Sequence, residues 1–469
     1  MARSSGRVKD APGGEFLHAR SGVRYRVNQN GFEFRRATDR LEGRRRLDFF
    51  IGSGAAGRSY LYQKDGFLFQ APVSWFAQPR RWDVSPGFER DERMNLTRPI
   101  EKECLRCHAG RLQPVEGAQN RYQDPPFLED GVGCERCHGP GAAHAAGARE
   151  IVNPAKLAPE RRDSVCAPCH LTGEERVEKA GRGLETFLPG DVLADFATSF
   201  VWAGGGRSAL RVTSHYEKLW QSRCRQAGGD RLWCGSCHEV HRPPARAERG
   251  VYFRRKCQGC HASVHPEGRA ECTSCHMPAG AVIDAAHTVY TDHSIPRLRG
   301  ARGPAPPPDR ELVGFWGAAG PREAGLAYLR IASRQSNAAH FVRAFELLRQ
   351  AEAAGASDAK VLTQLAFLHD RAGDEASAAG FYERAFAADS AEVDAAVNLG
   401  AILLKRGRAS DAIRLWEAAL RGNAGLEAAG LNLAMTYLRV GNRAAAREAL
   451  RKVLDYNPDS PQARRLLLQ

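Results

Sequence analysis

One five-residue pattern recurs six times between Cys104 and His276 and constrains this chain more than any other feature. The copies are Cys104-Leu-Arg-Cys107-His108, Cys134-Glu-Arg-Cys137-His138, Cys166-Ala-Pro-Cys169-His170, Cys234-Gly-Ser-Cys237-His238, Cys257-Gln-Gly-Cys260-His261 and Cys272-Thr-Ser-Cys275-His276. Cys-x-x-Cys-His is the attachment site of a c-type haem. The two thiols form thioethers to the porphyrin edge, and the adjoining imidazole is then placed under the iron. Histidine makes up 15 of 469 residues, so six accidental histidines after six such cysteine pairs have odds of roughly one in a billion. Cysteine pairs alone would suit zinc or a redox dithiol, but zinc has no use for a histidine directly after every second cysteine. Six covalent haems c are therefore expected, with His108, His138, His170, His238, His261 and His276 as proximal ligands.

Twelve of the 13 cysteines are absorbed by the motifs, leaving Cys224 without an intramolecular disulfide partner. It reads as a partly buried thiol, with an axial ligand or an intermolecular bridge as the sharper alternatives. The formal charge of +14 does not point to nucleic acid, because the propionates of six haems bring about −12. No apolar run of transmembrane length occurs. Haem attachment takes place outside the cytoplasm, so a periplasmic or extracellular protein with an export signal is expected. The first residues carry positive charge with no apolar segment behind them, so no signal peptide is visible in this sequence.

Residues 1–100 read as a β-rich lead-in domain. Val23–Val27, Phe32–Phe34, Leu47–Ile51, Ser59–Tyr62 and Phe67–Phe69 alternate or cluster as strands, with turns at Asn28–Gly31 and Lys64–Gly66. Gly52-Ser-Gly54-Ala-Ala-Gly57 matches a dinucleotide fingerprint, but strand-like Arg58–Tyr62 follows where a helix is required, so it reads as a loop. Residues 101–295 form the hexahaem region, with little regular structure and short helices local to each motif, since macrocycles supply the apolar volume. The last two haems are expected to be neighbours, because only eleven positions separate His261 from Cys272. Residues 296–320, with Pro296, Pro304 and Pro306–Pro308, read as a stiff linker.

From 321 to 469 a period of 34 appears. Leu365, Leu399 and Leu433 recur at that interval, as do Gly373, Gly407 and Gly441, and Ala378, Ala412 and Ala446. This is the tetratricopeptide signature, an all-α solenoid of about four helix–turn–helix units whose surface is expected to dock a protein. The fold class is thus multidomain: β lead-in, haem-packed cytochrome region, helical solenoid.

Which side chains occupy the distal positions decides the chemistry, because an iron with two protein ligands passes electrons and one with an open face can transform a small molecule. The candidates are His18, His144, His215, His241, His265, His287 and His293. His241 lies too close to His238 in sequence to reach the same iron easily, so a neighbouring haem is its target. His340 and His369 fall in the repeats and read as packing or surface residues.

Several of these segments resemble bacterial multihaem cytochromes c related to the tetrahaem electron carrier of hydroxylamine oxidoreductase, in the variety fused to tetratricopeptide repeats. The resemblance rests on Cys134–His144, Cys234–His241, Cys272–Pro278 with Thr291–His293, and the lead-in segments Ile51–Gly54, Pro72–Trp75 and Ser85–Gly87. It implies covalent haem c, largely bis-histidine ligation and electron transfer outside the cytoplasm, with no catalytic residue assigned. The alternatives are a multihaem oxidoreductase with one open haem acting on a small nitrogen or sulfur compound, and a repeat scaffold using haem as a redox sensor.

Overall fold

The computed structural model describes residues 3–148, 150–204, 209–261, 271–285, 287–296 and 310–468. The chain divides into two compact units, one built on Gly131–Ala319 and the other on Ser4–Asp130 together with Gly320–Gln469. This division does not follow the linear blocks expected from sequence, because the first haem motif and the repeats belong with the sheets.

Strict alternation shapes the first sheet. Val23, Tyr25 and Val27 point inward while Arg24, Arg26 and Asn28 face water. Gly14–His18, Val23–Asn28, Gly31–Arg36 and Leu41–Arg45 form a four-stranded antiparallel meander. A second antiparallel sheet orders Ser5–Arg7, Phe49–Ile51, Gly57–Lys64, Phe67–Phe76 and Arg81–Val84. The turn at Asp65 and Gly66 has φ of 51° and 83°, the left-handed pair that matches strand twist in a two-residue hairpin. Residues 52–56 link two antiparallel strands, as expected for a loop, and no helix follows them. Tyr25, Phe32, Phe34, Tyr60, Tyr62, Phe69 and Trp82 fill the core, each ring stabilising the fold by about 1.5–3 kcal/mol on burial.

The repeats are helix pairs, from Pro321–Gln335 with Ala338–Ala353 through Ala359–Arg371 with Glu375–Ala388, Val393–Lys405 with Ala409–Gly422 and Glu427–Arg439 with Arg443–Tyr456, closed by Pro461–Leu467. The 34-residue period has a physical reading at each position. Gly373, Gly407 and Gly441 all take φ near 80° just past a helix end. Ala378, Ala412 and Ala446 are fully buried where paired helices meet. Leu365, Leu399 and Leu433 face the core.

The end of the solenoid packs into the sheets. Tyr456 lies edge-on to Phe69 at 5.9 Å and donates its hydroxyl to Asp65 at 2.7 Å. Asp459, 2% exposed, accepts from the Arg36 guanidinium at 3.0 Å and from the Met94 N–H at 2.8 Å. Tyr456 and Ala424 are part of the same apolar cluster as Tyr25 and Phe69, which is why sheet and solenoid form one body.

The other unit is built of short elements, with brief helices at its motifs: Glu135–His138, Cys234–Cys237 and Cys272–His276 span four or five residues. Pro159–His170 and Arg249–Gln258 are longer. Its sheet pairs Ala197–Trp202 with Glu175–Glu178 and with Leu312–Trp316. The last strand corrects the linker expectation for part of 296–320: Leu312 is buried, and Phe315 and Trp316 pack on Tyr216. Among the described residues no helix is long and apolar enough to cross a membrane.

Candidate functional site

Five motifs lie in the unit built on Gly131–Ala319, and the histidines of three of them, His138, His170 and His238, meet distal candidates. His138 and His241 have ring centroids 5.9 Å apart and planes inclined by 14°. His238 and His293 are 6.2 Å apart at 22°. A metal held between two imidazoles, with about 2 Å to each nitrogen, sets ring centroids roughly 6 Å apart, so both spacings suit a shared iron. His215 touches His170 at 5.1 Å, His293 at 4.8 Å and Tyr290 at 5.5 Å. His170, His215, His238 and His293 thus form one cluster, built from the end of Pro159–His170, the start of the helix His215–Gln221, the turn after Cys234–Cys237 and the residue just past the strand Val289–Thr291.

The electrostatics of this cluster suit ligation. Burial lowers the pKa of His170, His238 and His293. His215 is pushed down to about 3 by burial and then by His293, His170 and His238. Neutral imidazole is the form that binds metal. Orientation is fixed from behind in two motif histidines: His138 Nδ1 lies 2.7 Å from the Val152 carbonyl and His276 Nδ1 lies 3.1 Å from the Pro296 carbonyl. A carbonyl only accepts, so Nδ1 carries the hydrogen and Nε2 is left bare for iron. His293 is held the same way by the Thr291 carbonyl at 3.0 Å. These carbonyl partners leave no mark in the sequence, since any residue supplies one.

The thiols converge as well. All twelve motif cysteines are free. Cys166 contacts Cys234, and Cys257 contacts Cys272, so the third and fourth sites adjoin and the last two are neighbours. Cys224 is half-buried, and burial raises its thiol pKa. A set of paired thiols with imidazoles at this spacing fits covalent haem, and no other group is implied.

The remaining histidines are placed differently. His144 is exposed, with Nδ1 on the Ala148 carbonyl at 3.0 Å. His18 ends the strand Gly14–His18, and its Nδ1 meets Ser21 Oγ at 2.8 Å. His287 adopts φ of 54° beside the strand Val289–Thr291, and His265 lies outside the described residues. His340 packs on Tyr328, and His369 packs between Phe345 and Phe381.

The first motif stands in the unit with the sheets. The helix Lys102–Arg106 carries Cys104 and buries its Leu105 in a cluster with Ile100, Tyr122 and Phe127. His108 has a buried, unpartnered Nδ1, and burial lowers its pKa. Ser4 Oγ donates to its backbone carbonyl at 2.8 Å.

The family described as cytochrome c554 and c-prime matches residues 84–139, which hold the first two motifs, and the tetratricopeptide repeat family matches residues 403–469. A curated relative, the multiheme cytochrome MtrA of Shewanella baltica (strain OS185), is 25% identical over 205 residues, 39% of this chain and 47% of that protein. The chain therefore spans about half the length of that relative. Among solved structures, YrrB, a TPR protein with an unusual peptide-binding site, matches at 21% identity over 32% of this chain and 84% of its own, with a TM-score of 0.26. MamA matches at 19% identity over 29% of this chain and 89% of its own, with a TM-score of 0.24.

Proposed function

The chain being a multihaem c-type cytochrome joined to tetratricopeptide repeats, we propose that it carries electrons outside the cytoplasm through six covalent haems c. The repeats dock a redox partner protein. A haem iron held by two imidazoles cycles between ferric and ferrous states without binding a small molecule. The observation that carries this reading is the pairing of proximal with distal rings. His241 faces His138, His293 faces His238, and His215 stands against His170. In this assignment one ring of each of two pairs, His138 and His293, is tethered to a backbone carbonyl, which limits change in ligand geometry between redox states. The covalent attachment chemistry favours a location in the periplasm or at the cell exterior.

Intact-mass measurement and ferric spectra of protein from a host competent in haem attachment test this. Six added haems with a mostly low-spin spectrum are expected. Bare thiols at the motifs would overturn it.

A second reading has an observation of its own. The half-buried His108 carries a buried Nδ1 without a hydrogen-bond partner. An open face at the first haem would make the protein an oxidoreductase acting on a small nitrogen or sulfur compound. A high-spin ferric fraction that responds to nitric oxide or hydroxylamine would favour it.

A further inference from the structure

The first haem motif differs from the other five in being built into the same compact unit as the repeats. A continuous set of side-chain hydrogen bonds joins the two. Asn423, 2% exposed and next after the helix Ala409–Gly422, donates from Nδ2 to Gln119 Oε1 at 2.8 Å. Gln119 donates from Nε2 to Glu101 Oε1 at 2.6 Å. Its backbone N–H donates to the Gly422 carbonyl at 3.0 Å, so the loop is held to the repeats twice. Glu101 is the N-cap of the motif helix Lys102–Arg106, and its carbonyl accepts from the Cys104 N–H at 3.1 Å. Displacing Glu101 therefore re-aims the thiol that fixes the porphyrin edge. The far end is anchored independently by Ser4 on the His108 carbonyl, and at the near end Tyr122 donates its hydroxyl to Ile100 O, beside Glu101, at 3.0 Å.

We infer that Asn423 and Gln119 are positioning residues for the first haem, through which the repeats set that haem's redox properties apart from the other five. Strain placed on the turn after Ala409–Gly422 by a docked protein reaches the first haem through two side chains and one carboxylate. The two side-chain links, at 2.6 and 2.8 Å, are half-buried, where hydrogen bonds polarise one another and are costly to leave unmade. This rests on the reading of six loaded haems and names the one that answers to the repeats.

The test uses full-length, haem-loaded protein. Optical redox titration is run on wild type, Asn423→Ala, Gln119→Ala and the double variant, with haem content counted by intact mass. The first haem's component is assigned by its disappearance in the Cys104→Ala/Cys107→Ala protein. Each single variant is expected to displace that component alone, by up to about tenfold in its reduction equilibrium (about 59 mV for one electron). The double variant should move it no further than the larger single change, as for residues in one network. Arg36→Ala, which loosens another contact between repeats and sheet, should leave it in place. Six loaded haems with no displaced component, a shift shared by all components, or the same shift in Arg36→Ala would overturn the inference and leave the electron-carrier reading standing. Bare thiols at Cys104 and Cys107 in the wild type would bring down both.

Discussion

His293 shows how much rests on single side chains. Its ring lies 4.8 Å from His215 and 6.2 Å from His238, while the Thr291 carbonyl holds its Nδ1. In the proposed assignment, replacing it by alanine removes a ligand and leaves every thioether in place. His293→Ala is therefore expected to retain the wild-type haem count by mass while converting one haem to the high-spin form in ferric electron paramagnetic resonance. An unchanged low-spin spectrum would reassign the ligand. Glu392 carries a pH prediction. Burial, and then Asp394, raise its pKa from 4.5 to about 7. The folded chain thus holds a proton that the unfolded chain releases above 4.5, so the stability this group contributes is full at low pH and declines as pH rises towards 7. Glu392→Gln should raise the melting temperature at pH 8 and have little effect at pH 4.5, as measured by circular dichroism.

Among elements, the turn between the helices Ala409–Gly422 and Glu427–Arg439 is closely fitted against the sheets. A Cβ at Gly425 would fall 2.8 Å from the Phe69 ring and 2.9 Å from Thr97 Cβ. Gly425→Ala should cost about 1–3 kcal/mol, as overpacking does, read as a lowered denaturant midpoint. Gly400 makes the same close approach inside one repeat, where a Cβ would meet the Trp416 indole at 2.6 Å. The haem-bearing helices Glu135–His138, Cys234–Cys237 and Cys272–His276 are too short to persist unaided. Their order depends on carbonyl tethers and on the porphyrin surface they are built to cover.

For the molecule as a whole, sheet and solenoid share one apolar cluster through Tyr456 and Ala424, with Asp459 buried on Arg36. Removing the repeats would expose that cluster, so the two parts are expected to unfold together. Tyr456→Ala tests the coupling. It should lose about 3–5 kcal/mol, as large-to-small aromatic changes do, and speed amide exchange in Val23–Asn28 and Phe67–Phe76 as well as in the last helices. Faster exchange confined to the helices would show that the parts unfold separately.

Covalent chemistry and periodicity are local properties, and the sequence alone determined what depends on them. The motif spacing identifies haem c, the 34-residue period identifies the repeats with their glycines at positive φ, and alternation identifies Val23–Val27 as a half-buried strand. Contacts between residues far apart in the chain were decided by the tertiary structure. It brings His241 to His138 and His293 to His238 but holds His144 and His18 on other partners. It also draws Leu312–Trp316 into a sheet with Ala197–Trp202, and joins Glu101 to Asn423 through Gln119. A pattern along the chain specifies which groups are present, whereas their meeting depends on how buried surfaces fit. That fit is a sum over many weak contacts and leaves no spacing to read.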